Sequence, residues 1–323
     1  MRPVPALITL VLAPTLAHAW GPVGHRIVAE TAALLVQDDL PRSWGPLLGR
    51  HRFQLGVYAF LPDAVFRNID GAGGKIEAPT HILELDASGK VAGRGGSVPW
   101  RTAQFLGRAR DRLGGVVRVP GGFLGGARSE GDAHRIFLGL LELGLMAHYS
   151  GDAAVPFHAS PDWNGYEVGQ GGIHFYFEND CVDALEPGLA ADVLAAARKN
   201  RARWMSAWGA GAERPVDLVL ALLRDSRDAA ARVAAADLRY AVTKRSDPGT
   251  ETPAARKPAA AACPSMRRLL VERLAKGAVA TASLWETALP AGADFSGGAD
   301  FQLSDMALDP AYVPPDYGTP SLP

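Results

Sequence analysis

The chain has 323 residues, 48% of them hydrophobic and 21% charged, which supplies enough apolar side chains for a large core and excludes a disordered or fibrous polypeptide. Its 33 basic and 34 acidic residues leave a formal charge of -1, so no global field calls for nucleic acid or an anionic membrane, and phosphate recognition has to be local. Two cysteines, Cys181 and Cys263, exclude a disulfide-dense scaffold and a cysteine-cluster metal site, while allowing one bridge outside the cytoplasm.

Residues 1–19 read as a cleavable signal peptide. Arg2 is a short basic start, Val4 to Leu16 is apolar but too short to anchor in a bilayer, and Ala17-His18-Ala19 supplies the small-x-small cleavage pattern. Pro3, Pro5 and Pro14 argue against an ordinary soluble helix there. Cleavage would leave a chain beginning at Trp20, with no later transmembrane span, and the expected location is secreted or periplasmic. Val23, Ile27, Val28, Thr31, Leu34 and Leu35 then recur at helical spacing until Asp38-Asp39 and Pro41 end the pattern. Residues 71–74, 89–96 and 114–126 read as Gly-rich loops. Residues 134–148 are apolar almost all round, interrupted by Glu142, and predict a central buried helix. Long Ala/Leu/Arg patterns predict helices over 183–208, with Pro187 near its start, and over 215–240 and 265–289. Residues 245–264 read as an inserted Pro/Ala/Lys-rich loop and 290–323 as a Pro-rich tail. Strand-like runs are few, so the expected fold is mainly α, a single multi-helix domain over residues 20–289.

The histidines carry the chemistry. His148 and Asp152 are i, i+4 partners that share a helix face if the central helix runs through them. His158 follows across a Val155-Pro156 turn, and His174 with Glu178 repeats the i, i+4 pair. Imidazole and carboxylate are the donors zinc takes when thiolates are absent. One such pair is more often a satisfied core histidine beside an acid; two pairs and a third histidine within 31 residues reverse that weighting. Five donors exceed one zinc, and upstream the chain offers His25, Asp63 after Pro62, and His81 in Thr80-His81-Ile82-Leu83-Glu84. Taken singly, Asp63 would be a turn cap and His81 a structural residue of an apolar strand-like run.

These residues together resemble the zinc-dependent phospholipase C and single-strand-specific nuclease superfamily, whose mature enzymes bind metal through the amine and carbonyl of an N-terminal tryptophan. The resemblance extends from Trp20 to about Asp183. It implies an all-α domain with the metal cluster between helices at the base of a cleft, and three zinc ions per chain. Asp63, His81, His148 and Asp152 would hold the first, and His158, His174 and Glu178 the second. Trp20 and His25 would hold the third, with Asp152 bridging it to the first. The pattern Trp20-Gly-x-x-Gly-His25-x-x-Val-Ala is similar to the nuclease branch. The block from His148 through Pro156-Phe157-His158 to His174, Tyr176, Glu178, Asn179 and Asp183 is closer to phospholipase C, because nucleases usually carry Asp at the position of Glu178 and His-Gln-Pro-Leu-His where this chain has Ala154-Val155-Pro156-Phe157-His158. Arg67 is the nearest counterpart of a basic residue that nucleases carry after their aspartate ligand.

The resemblance implies an exported hydrolase that cleaves phosphate esters by attack of a metal-bound hydroxide, since zinc brings the pKa of its water from 15.7 to about 7. Asp63 and Asp152 are the expected catalytic residues, Asp63 as ligand and proton acceptor and Asp152 as the shared carboxylate. The substrate would be a phospholipid, or alternatively single-stranded DNA or RNA; a further alternative is an inactive zinc-binding protein whose metals are structural. No obligate protein partner is implied. Tyr58, Phe60, Phe66, Phe157, Trp163 and Tyr166 are available to either substrate, although core packing is the commoner role of each. The chain lacks a His-Glu-x-x-His zincin motif, a Gly-x-Ser-x-Gly nucleophile elbow and a Walker-type phosphate loop.

Overall fold

Three helices with small residues at their crossing carry the core. Helix α1 (Gly21–Asp39) buries Ile27, Val28, Thr31 and Leu35 on the face its periodicity predicts, and it stops where the Leu40 amide turns back to the Val36 carbonyl at 2.9 Å. The central helix runs from Glu130 to Asp152, longer than predicted at both ends, and every residue from 142 to 159 is buried. The last helix (Arg267–Ala288) is buried without a break from Arg273 to Trp285. Gly277 packs against Ala154, Gly151 and Val28, and the Ser150 and Thr281 hydroxyls are 2.6 Å apart, so the three backbones approach closely. Leu140, Leu143, Leu274 and Leu284 are fully buried around this crossing, each contributing roughly 1.5–3 kcal/mol. The Trp285 indole donates to the Leu143 carbonyl at 3.0 Å, so even the largest side chain here keeps its polar atom partnered.

The computed structural model describes residues 20–66, 77–114, 116, 130–209 and 211–292. The expected signal peptide, Arg67, the loop 71–74, most of 114–126 and the tail beyond 292 lie outside the described residues. In chain order α1 is followed by α2 (Trp44–Arg50), α3 (Arg52–Tyr58), strands β1 (Leu83–Leu85) and β2 (Val91–Gly96), α4 (Val98–Leu113) and the central helix as α5. Then come α6 (Cys181–Trp208), α7 (Pro215–Tyr240), β3 (Val242–Lys244), β4 (Ala255–Arg256) and the last helix as α8. Helix α1 packs on α2, α3, α5, α6 and α8, and α4 lies along α5. The fold is mainly α and forms one domain, as expected. No helix among the described residues is long and apolar enough to cross a membrane.

Three local expectations are corrected. Within the stretch 89–96, read as a loop, residues 91–96 form β2, paired antiparallel to β1 through Leu83 with Gly96 and Leu85 with Val91. Gly93 and Gly96 adopt positive φ and break the alternation by which a strand is recognised. Helix α6 begins at Cys181, and Pro187 (ψ 108°) with Gly188 (φ 85°) divides it into two helical pieces, because proline has no backbone N–H to donate within a helix and glycine supplies a left-handed joint. Third, the stretch 245–264 returns as β4 against β3, then a single helical turn (Ala259–Ala262) and a 3-10 turn (Cys263–Met266). Arg256 ties it down, bonding Asp237 and the carbonyls of Gln170 and Gly171. The Cys181–Cys263 disulfide fixes its far end to the start of α6.

Candidate metal centre

The sequence brings donors to one place from seven elements. Continuation of α5 through Asp152 sets His148 and Asp152 on one face, with His148 Nε2 3.2 Å from Asp152 Oδ2. His81 ends a 3-10 turn (Ala78–His81), not the strand expected for it, and presents Nδ1 at 2.8 Å from Asp152 Oδ2 and 2.9 Å from His148 Nε2. From α1, His25 Nε2 reaches within 3.5 Å of Asp152 Oδ1 and 3.7 Å of Asp63 Oδ2, its ring stacked on His148 with centroids 4.0 Å apart. Asp63 lies in a π-helical turn (Pro62–Phe66), its Oδ1 4.0 Å from His148 Nε2.

A second group lies beside the first. His158 closes the 3-10 turn Pro156–His158, and Glu178 occupies another π-helical turn (Tyr176–Asp180) one turn after His174. Glu178 Oε2 is 2.9 Å from His174 Nε2 and 4.0 Å from His158 Nε2. Such π turns are rare and concentrate at functional sites, and here two of them carry carboxylates of the centre. Asp152 links His25 to the His81–His148 pair: its Oδ2 faces His81 and His148, while its Oδ1 faces His25, and His158 passes 3.8 Å from Oδ1 with the Nδ1 that bonds the His81 carbonyl. The donors form three sets, His25 with Asp63 and His148, His81 with His148 and Asp152, and His158 with His174 and Glu178, the atoms of each set within 4.8 Å of one another. Each set can hold a metal ion. Geometry thus groups His25 with Asp63 and His148 as well as near Asp152.

Trp20 lies against the same cluster. Its main chain is left-handed (φ 32°), its carbonyl accepts from the Gly24 amide at 3.0 Å, and its indole donates to the Gly151 carbonyl at 2.9 Å, one residue before Asp152. The Trp-Gly-x-x-Gly-His pattern has a steric reason. Gly21 takes φ +53° against Asn179, and a Cβ on Gly24 would come within 2.7 Å of the Trp20 Cβ.

The eight titratable donors are between 0 and 4% exposed. Three carboxylates at that depth require compensating charge, and they face imidazoles, which can be neutral ligands. A surrounding layer fixes ring orientation. The Ala59 carbonyl, 2.8 Å from His148 Nδ1, and the His81 carbonyl, 2.8 Å from His158 Nδ1, select the tautomers that leave each Nε2 bare toward the cluster. Glu77 was missed in the sequence. It lies 3.9 Å from His81 Nε2 and accepts from Tyr149, Thr80 and Arg101. Burial, reinforced by Glu77, pushes the Tyr149 phenol well up, so it remains a donor. The clue was present, since Glu77 and His81 have the same i, i+4 spacing as the ligand pairs. Of the aromatics, Phe66 stacks near Phe105 and Tyr58 packs on Phe137, whereas Phe157 and Trp163 lie 5.7 and 6.1 Å from the His174 ring. No protein-family model and no curated protein matches this chain.

Proposed function

We propose that the chain is an exported, zinc-dependent phosphoester hydrolase of the phospholipase C and single-strand nuclease type, with three zinc ions. The observation that carries this reading is the placement of Asp152, whose two oxygens face separate histidine sets. The donor set fits zinc: imidazole nitrogens and carboxylate oxygens without thiolate, in compact groups of three. His81, His148, Asp63 and Asp152 would hold one ion, His158, His174 and Glu178 another, and His25 with the freed amine and carbonyl of Trp20 a third that shares Asp152. Zinc bound there would supply activation of water at neutral pH and neutralisation of phosphoryl charge. The chain's own residues do the rest. The Ala59 and His81 carbonyls keep the protons of His148 and His158 on Nδ1, and Asp63 would serve as both ligand and proton acceptor. The Cys181–Cys263 disulfide supports an oxidising compartment.

Elemental analysis and paired assays test this. Protein beginning at Trp20 should carry close to three zincs and hydrolyse a phosphatidylcholine dispersion or single-stranded DNA, with activity abolished by chelation and restored by zinc. Folded protein holding one metal or none overturns the trinuclear reading. Three tightly held zincs with no turnover of either substrate would make them structural.

A further inference from the structure

Arg94 is held in an unusual way for a half-exposed arginine. Glu84 of β1, only 1% exposed, accepts from the Arg94 backbone amide at 2.6 Å and from its Nε at 2.7 Å. Gly93 makes room for this clamp: it has φ +56°, and a Cβ there would collide with the Glu84 carboxylate. The Arg94 guanidinium lies over the Trp163 ring, 4.9 Å from its centroid. Trp163 in turn meets the rings of His174 at 6.1 Å and Tyr166 at 5.7 Å, edge to face. The hairpin is fixed to the metal-binding segment by the Leu85 amide, which donates to the Ala159 carbonyl next to His158 at 3.0 Å. Through the Trp163–His174 contact this hairpin and loop lie beside the donor set of His158, His174 and Glu178. The two terminal nitrogens of Arg94 make no protein hydrogen bond among the described residues, and 55% of its side chain is open to solvent.

We propose that Arg94, seated on Trp163, is an anion subsite that takes a second phosphate of the substrate chain, which makes single-stranded polynucleotide the preferred substrate class. The proposal rests on the hydrolase reading for the position of the cleaved phosphate. A guanidinium fixed through its amide and Nε presents its remaining N–H groups as a fork suited to phosphate oxygens. Preorganisation matters here, because a free surface arginine would give up most of its ion-pair energy to side-chain entropy. Phosphatidylcholine fits this subsite poorly: its quaternary ammonium seeks an open aromatic face, and the Trp163 face is covered by a cation. A polynucleotide repeats its phosphate at every residue and offers bases to stack beside Tyr166. The neighbouring loop also carries Asp162, which accepts from the Glu167 amide, and the exposed Glu167, while Arg245 bonds the Val168 carbonyl on the same loop.

The test compares wild type with Arg94→Ala and Arg94→Lys on the dinucleotide TpT, the trinucleotide TpTpT and phosphatidylcholine, alongside binding of labelled oligothymidylate to chelator-treated protein. Wild type should favour TpTpT over TpT in kcat/KM by about tenfold, and Arg94→Ala should erase that preference with zinc content unchanged. Binding by the chelated protein should weaken about tenfold in Arg94→Ala, and the salt dependence should lose a slope of about 0.7, the value of one phosphate contact on a single strand. Arg94→Lys should keep the slope and lose part of the affinity. An unchanged trinucleotide preference and unchanged salt slope in Arg94→Ala overturn the proposal, as does a wild-type preference for phosphatidylcholine that ignores Arg94. If wild type holds no zinc and cleaves nothing, the hydrolase reading fails, and the binding measurement still decides the role of Arg94.

Discussion

Two charge clusters, one around the half-buried Asp225 and one around the buried Asp152, meet at the turn that ends α5, and they balance their carboxylates in different ways. Asp225 receives Lys276 Nζ at 2.7 and 2.8 Å and Arg273 Nη1, while Arg273, fully buried, also bonds the Ala154 carbonyl and Ser226. Burial alone would raise the Asp225 pKa; the two cations outweigh it and hold the carboxyl below its usual 3.8. Asp152, two residues before Ala154, faces imidazoles instead. Permanent cations supplied by the chain close the first cluster to exchange. Imidazoles can give up their protons, so the second is arranged to take its positive charge from outside the chain.

Asp152→Asn should have the largest effect, losing about a thousandfold or more in turnover, near 4 kcal/mol of barrier, together with bound zinc. His51→Ala, at the junction of α2 and α3, should stay within a few-fold, and comparable losses in kinetics for both would break the distinction. Asp225→Asn is the mirror experiment. It removes the carboxylate shared by Arg273 and Lys276, while Lys276 keeps Glu272 at 3.1 Å, and should cost about 2 kcal/mol in denaturant unfolding, with zinc stoichiometry unchanged. Because the folded Asp225 pKa is depressed, its contribution is fully present above 3.8 and disappears as pH falls through the lower folded value. The stability gap between wild type and Asp225→Asn should therefore close only in strong acid; a gap that widens on acidification would have the wrong sign.

A smaller effect concerns the chain start. A free α-amine has a pKa of roughly 7.7–8.0 and can release its proton to zinc at neutral pH, whereas an amide nitrogen cannot ligate this way. Folded protein with residues before Trp20 should lose about one zinc and at least about tenfold in turnover, near 1.4 kcal/mol, while keeping the metal at His158, His174 and Glu178. Equal rates for extended and processed forms, matched by circular dichroism, would exclude the terminal amine as a ligand. Least affected should be Ser226→Ala. The Ser226 hydroxyl donates to the Ala153 carbonyl at 2.6 Å, and its removal should cost about 1 kcal/mol of stability with turnover preserved, as befits a closed structural cluster.

The helices and the histidines were legible in the sequence because their signals are local. Helical spacing marks α1, an all-round apolar run marks α5 and long Ala/Leu/Arg patterns mark α7 and α8, and His148 with Asp152 or His174 with Glu178 needs only one helical turn to be read. Arg94 and Glu84 were not legible. Their contact depends on a hairpin whose glycines erase strand alternation, and nothing in either residue announces the other ten positions away. The orienting carbonyls of Ala59 and His81 leave no mark at all, since every residue carries one. Glu77 was hidden for a different reason: a carboxylate before a proline-containing turn looks like an ordinary cap until Tyr149 is seen to reach it.

The disulfide has a consequence for how the molecule comes apart and reassembles. Cys181 follows Glu178 by three residues, and Cys263 stands four residues ahead of α8, so the bridge closes a loop of 82 residues that contains α6, α7 and the β3–β4 arm. Closing a loop of that length is worth about 4.5 kcal/mol against the open chain in the loop-entropy account. A chain that has lost α6 and α7 still holds the Glu178 segment beside the entrance to α8, the helix whose Gly277 packs on the Asp152 turn. One donor therefore stays at high effective concentration near the others, and a released metal ion meets a partly gathered site instead of a fully open chain.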